Sequence, residues 1–202
     1  MEALPQNDMS IEEFFDAIEH VEGRFELVDG QPMMMDGATN QHNNIKNNIT
    51  VALTPAARRR GCNSTTSDTG VQTGERSVRL PDVVVDCGSS DPNGKTIANP
   101  TIIVEVSSPG IRSSDVGVKL AEYQGLASVR IVIQVEPDVV FAAVHSRGDD
   151  NAWQVRVYDS LDDEIPIPSL EATLAFRDIY YGMNIKPRPR LQLVQEDNTF
   201  TP

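Results

Sequence analysis

Three residues in this sequence are of types, and in surroundings, that call for a chemical explanation: Asp82, Glu105 and Lys119. Glu105 interrupts the run Ile102-Ile103-Val104-Glu105-Val106, which is apolar enough to be covered on both faces of a sheet. A carboxylate left alone there would cost several kcal/mol or take up a proton, so it calls for a cation or a metal ion. An ion pair at a sheet edge is the plainer explanation. Asp82 follows Pro81 and opens the β-branched run Val83-Val84-Val85, and proline suits a first strand position because it lacks a ladder donor. Alternation along a strand puts Asp82, Val84 and Asp86 on one face, and Ile103, Glu105 and Ser107 on one face of the second strand. If the two strands are neighbours, the carboxylates approach at one end of the sheet. Hard oxygen donors of this kind suit Mg²⁺ or Mn²⁺. An aspartate at a strand start is also a common structural device.

Lys119 lies three residues after Val116 and four before Tyr123, which with Leu120 define the apolar side of a predicted helix. A lysine on that side buries its stem and directs its ammonium at something acidic. The competing expectation is an exposed pair with Asp115, four residues earlier, worth little energy.

The elements that must position these groups are legible from local signals. Ser10-Ile11-Glu12-Glu13 is a capping box, and Ile11, Phe14, Phe15 and Ile18 recur at helical spacing behind it. Asp29-Gly30 between Arg24–Val28 and Gln31–Met35 predicts a tight hairpin. From about Asn40 to Arg60 a long helix is expected, with Ile45, Ile49, Ala52, Leu53 and Ala56 on one side. Pro55 is a candidate kink and Gly61 a stop, while Arg58-Arg59-Arg60 complements the negative end of the helix dipole or contacts phosphate. Strands follow at Cys62–Thr66, Val78–Leu80, Asp82–Asp86 and Thr101–Val106, then a helix at Ser113–Gly125 and a strand at Val129–Val135. Val139–His145 and Trp153–Tyr158 form a closing hairpin, with Trp153 in its core. This order predicts an α/β fold in which helices flank a mixed central sheet.

With 202 residues, 39% hydrophobic and 23% charged, the chain has the composition of a single globular domain, expected over residues 10–183. Lys186-Pro187-Arg188-Pro189-Arg190 predicts an extended tail over residues 184–202. No stretch approaches the roughly 20 apolar residues that span a bilayer, and the acidic start of the chain predicts no secretory signal. Cys62 and Cys87 fall in no CxxC pattern and are expected as two incidental thiols of a cytoplasmic protein. A net charge of -13 argues against a protein that coats nucleic acid non-specifically, since that binding rests on Lys and Arg neutralising phosphates. There is no P-loop, dinucleotide fingerprint, nucleophile elbow, HExxH or zinc-type spacing.

Four segments in order complete the picture: Phe25-Glu26-Leu27-Val28-Asp29-Gly30, Leu80-Pro81-Asp82-Val83-Val84-Val85, Ile103-Val104-Glu105-Val106-Ser107-Ser108-Pro109, and Lys119-Leu120-Ala121-Glu122-Tyr123. Together they resemble the Uma-type restriction endonucleases, a bacterial family of the PD-(D/E)XK nuclease superfamily. The resemblance covers roughly Met9 to Gly182. It implies a restriction-endonuclease-like core, with Asp82 and Glu105 as the paired acids of the motif. The lysine that usually stands two residues after the second acid is replaced by Ser107, and Lys119 fits the position of a lysine moved to the following helix. Glu26 matches an acidic position that can join the metal site, and His42 matches a recurrent family histidine.

On this reading Asp82 and Glu105, with help from Glu26, hold Mg²⁺ or Mn²⁺, while Lys119 orients the attacking water and stabilises the transition state. The expected activity is a metal-dependent endonuclease acting on nucleic acid, DNA above all, away from membranes and as a homodimer. The alternative is a nuclease-like fold used for binding or oligomerisation without turnover, which the acidic composition favours.

Overall fold

In a computed structural model of the chain, residues 8–66, 69–89, 91–108 and 113–187 are described. Helix α1 (Ile11–Ile18) opens on the expected capping box: Ser10 Oγ accepts from the Glu13 amide at 3.2 Å, and Glu13 accepts from the Ser10 amide at 2.8 Å. Strands β1 (Phe25–Val28) and β2 (Gln31–Met34) follow, joined through Asp29 and Gly30 at φ 48° and 82°. Those are the left-handed conformations a two-residue hairpin turn requires. Helix α2 (Asn40–Arg59) is capped by Thr39, contains Pro55, and is left through Gly61 at φ 70°. Next come β3 (Asn63–Thr66), β4 (Gly70–Gly74), β5 (Ser77–Arg79), β6 (Val83–Asp86), β7 (Thr96–Ile97) and β8 (Pro100–Val106). Helix α3 (Ser113–Gly125) leads to β9 (Ile131–Val135), β10 (Val139–Val140), β11 (Ala142–Arg147) and β12 (Trp153–Tyr158). The chain closes with β13 (Glu164–Ile167), a 3₁₀ turn (Pro168–Leu170), β14 (Ala172–Ala175), α4 (Phe176–Ile179) and β15 (Lys186–Pro187).

The central layer is a six-stranded sheet in the order β12-β11-β9-β8-β6-β3. Only β8 and β9 pair parallel in it, and α3 is the crossover between them. Strands buried on both faces account for the continuous apolar runs. Val83, Val85, Ile102, Val104 and Val106 pack with Ile45, Ile49 and Leu53 of α2, and Ile103 and Val132 pack with Tyr123 of α3. Full burial of one such side chain stabilises the fold by about 1.5–3 kcal/mol. The mixed sheet between helices is the architecture expected from the sequence.

A second sheet, in the order β2-β1-β5-β4-β7, packs against α1 through Phe14, Leu27 and Val78. Strands β4 and β7, and the elements from β13 to α4, lay beyond what local patterning predicted. The segment Leu80-Pro81-Asp82 runs from β5 of this sheet straight into β6 of the central one. The residues at the junction are therefore shared by two sheets.

One expectation is corrected. Cys62 and Cys87 are joined in a disulfide rather than standing as two thiols. The cause is register: β3 and β6 pair antiparallel with Asn63 opposite Asp86, so the next residues outward, 62 and 87, face each other. Their Cα atoms lie 4.1 Å apart. Within the expected tail, Lys186–Pro187 pairs with Val139–Val140 and Ile185 packs on the core. The sequence from Arg188 onward, like Pro109 of the third motif, lies outside the described residues. Among the described residues no helix is long and apolar enough to cross a membrane.

Candidate active site

Strands β6 and β8 are antiparallel neighbours in which Val83 pairs with Val104 and Val84 with Ile103. Continued by one step, that register sets Asp82 opposite Glu105 at the end of the ladder. The neighbourhood on which the two-acid expectation depended is thus present. Asp82 is 5% exposed. Its Oδ2 accepts the Val106 amide at 2.9 Å, and its Oδ1 lies 2.8 Å from Nε2 of His42 on α2. His42, on the helix face turned inward, is itself buried.

Glu105 reaches toward α3. Its Oε1 accepts from the Tyr123 hydroxyl at 2.6 Å and stands 4.0 Å from the Lys119 ammonium. Burial pushes the Glu105 carboxyl up to about 7, with Asp82 and Glu26 adding to the rise while Lys119 and Tyr123 oppose it. The phenol of Tyr123 is driven well above its ordinary value by burial and by the neighbouring carboxylate.

Lys119 is turned inward, its side chain 16% exposed. Its Nζ reaches across to β1 and donates to Oε1 of Glu26 at 2.8 Å. Burial works to lower the lysine, but Glu105 and Glu26 outweigh it and raise it above the ordinary ammonium value. Of the three residues taken as the apolar side of α3, Tyr123 is buried and Leu120 partly so, whereas Val116 is 37% exposed. The helix turns one stripe at its C-terminal half into the core and leaves its first turns at the surface.

Glu26 is 4% exposed and carries three donors: the Leu80 amide at 3.1 Å and Lys119 on Oε1, and Arg79 at 3.1 Å on Oε2. Arg79 is buried as well and makes a two-pronged contact with Glu122 of α3, at 2.7 and 2.6 Å. Burial alone would raise Glu122, but Arg79 and Thr73 hold it below the usual carboxylate range. Charges taken out of water persist only when compensated in this way. The network Lys119–Glu26–Arg79–Glu122 ties α3 to strands β1 and β5 of the second sheet.

Two clefts meet at Lys119. One of about 430 Å³ is lined by Glu105, Ser107, Val116, Tyr123 and Gln134 beside it. The other, open and of about 1280 Å³, is bounded by Glu26, Gln31, Met33, Arg79 and Ser108. Glu105, Glu26 and Lys119 line these clefts, with Lys119 as the common wall, whereas Asp82 lies behind them on His42 and the Val106 amide. Arg79, Tyr123 and Ser108 complete the lining, and sequence reasoning gave them no role. Arg79 stands three residues before Asp82 in a β-branched setting, which is the one local hint that it is buried. Among the described residues no three His, Cys, Asp or Glu side chains converge as a ready metal cage.

The comparisons agree with this architecture. A solved structure from Anabaena variabilis ATCC 29413, described as "a putative nuclease belonging to DUF820", superimposes with a TM-score of 0.69 at 17% identity. The match covers 85% of this chain and 97% of that one, which establishes a shared fold. An uncharacterized protein of Synechocystis sp. is 25% identical over 183 residues, covering 90% of this chain and 96% of the relative. Residues 11–177 match the Uma2 family, described as "Putative restriction endonuclease", and the chain belongs to that family.

Proposed function

We propose that this protein hydrolyses phosphodiester bonds of nucleic acid, with DNA as the substrate and one divalent cation, Mg²⁺ or Mn²⁺, held by Asp82 and Glu105. The observation that carries the proposal is the register of β6 and β8, which continued by one step brings Asp82 opposite Glu105, itself 4.0 Å from the Lys119 ammonium. The description of the family as restriction endonucleases, and of the Anabaena neighbour as a nuclease, points the same way.

The donor set fits such an ion. Asp82 and Glu105 supply hard oxygens, and the contacts of Glu105 to Tyr123 and Lys119 fall on Oε1 alone. Mg²⁺ is commonly held by one or two carboxylates, the rest of its shell being water and substrate phosphate, so a full protein cage is not required. Glu26, expected as a third ligand, fits better as the holder of Lys119, because both its oxygens already accept from cations. When bound, the cation supplies Lewis-acid and water-activating chemistry. Lys119 donates to the phosphate oxygen on which charge develops, from a site dry enough for that hydrogen bond to count. Arg79, through Glu26, keeps the ammonium from collapsing onto Glu105.

The net charge of -13 makes long-range attraction to a polyanion weak, so affinity rests on the cation and on contacts inside the clefts. Two copies acting together would cut both strands of a duplex, and a homodimer is part of the proposal.

The test is incubation of plasmid DNA with the protein and Mg²⁺ or Mn²⁺, beside Asp82→Ala and Lys119→Ala. Nicking by the parent that falls at least 100-fold in both variants is the expected result. Equal traces from all three, or none from any, would leave the fold as a binding module and overturn the proposal.

A further inference from the structure

We infer that His42 and Ser108 are positioning residues that lock the Asp82 carboxylate in the orientation a cation requires, an inference that rests on the reading of Asp82 as a ligand. The geometry is a closed ring of contacts. Asp82 Oδ2 accepts the Val106 amide at 2.9 Å, and Asp82 Oδ1 faces His42 Nε2 at 2.8 Å. His42 Nδ1 faces Ser108 Oγ at 3.2 Å, and Ser108 stands two residues beyond Val106 on the same strand exit. The ring joins three elements that are far apart in sequence: the first turn of α2, the entry to β6 and the exit of β8, which carries Glu105.

The direction of each bond follows from chemistry. An ionised carboxylate can only accept, so Nε2 carries the proton toward Asp82. In the neutral ring Nδ1 is then an acceptor, and the Ser108 hydroxyl donates to it. The chain thus runs Ser108 to His42 to Asp82, and it fixes both the tautomer and the ring plane. Asp82 and His42 are 5% and 4% exposed, so water does not compete for these bonds. Ser107 is anchored separately: its amide donates to the Val135 carbonyl at 2.8 Å and its hydroxyl to Glu136 at 3.0 Å. The strand exit that presents Ser108 is therefore held from both sides. Hydrogen bonds behind a ligating side chain commonly change metal affinity by about 10- to 100-fold.

The full-length protein is titrated with Mn²⁺ by calorimetry, with thermal midpoints recorded in parallel, for the parent, His42→Ala, His42→Gln, Ser108→Ala and Asp82→Asn. His42→Ala is expected to weaken Mn²⁺ by at least about 10-fold, and His42→Gln to recover most of it, since the amide can replace the Nε2–H donor. Ser108→Ala is expected to weaken Mn²⁺ severalfold with its thermal midpoint unchanged. A folded His42→Ala that binds as tightly as the parent would overturn the inference. If that variant does not fold, a folded Ser108→Ala with parental affinity would do so. Should the parent itself fail to bind Mn²⁺ and match Asp82→Asn, the cation reading falls first and the positioning role with it.

Discussion

The ammonium of Lys119 donates to Oε1 of Glu26 at 2.8 Å, an ion pair between the third helix and the first strand across 93 residues of sequence. Glu105, the second acid of the motif, is the more distant partner at 4.0 Å. The lysine is thus held by one carboxylate and directed past another, which is a way to fix a cation without neutralising its target.

Removing the holder should be costly. Glu26→Gln keeps the shape and an acceptor for the Leu80 amide, but leaves Arg79 and Lys119 short of a negative charge in a buried setting. The expected loss is about 3 kcal/mol of unfolding free energy, read by urea denaturation in chelating buffer. A loss below about 1 kcal/mol would mean that Glu122 alone satisfies the arginine.

The raised carboxyl of Glu105 makes a pH prediction whose sign is fixed. Its value moves from 4.5 in the unfolded chain to about 7 in the folded one. Between those values the folded state holds a proton that the unfolded state has lost, so stability contributed by Glu105 is present at low pH and declines as pH rises from about 4.5 to about 7. The span is at most about 3 kcal/mol. The difference between the parent and Glu105→Gln, followed by denaturation from pH 4 to pH 8 without divalent ions, should show this slope. The Gln variant should be the more stable at pH 8; a flat difference curve would contradict the assignment.

Lys119 lowers Glu105, so its removal has a directional consequence at another residue. In Lys119→Met the Glu105 titration should shift above its parental midpoint, and in Lys119→Arg it should stay close to it. Carboxyl ¹³C NMR of labelled glutamate reads both. An unshifted midpoint in the Met variant would show that the ammonium does not act on the acid.

The Cys62–Cys87 bond closes a loop spanning a sequence separation of 25. Loss of the bond, by reduction or by Cys87→Ser, is expected to lower unfolding free energy by about 3 kcal/mol. Cys87 is exposed, so a reductant has access to it. Alkylation and mass measurement of the native protein check the bond itself: free thiols on both residues would remove it from the account.

The sequence by itself determined the local devices and marked out the candidate residues for chemistry. The Ser10–Glu13 box, the Asp29-Gly30 turn and the Asn40–Arg60 amphipathic pattern act over a few residues, and each stands in the structure where it was expected. An acid inside a β-branched run, as at Glu105, is legible for the same reason: its surroundings are its sequence neighbours. What only the tertiary structure decided is register and reach. Whether residues 62 and 87 meet depends on how β3 pairs with β6, and whether Lys119 turns to Asp115, Glu105 or Glu26 depends on where a distant strand packs. Short strands such as β4 and β7 carry too few residues to show a period, so their pairing alone makes them visible. Arg79, His42 and Ser108 draw their roles from partners 40 to 66 residues away. Local composition carries no trace of such partners, because a hydrogen bond depends on distance in space and not on separation along the chain.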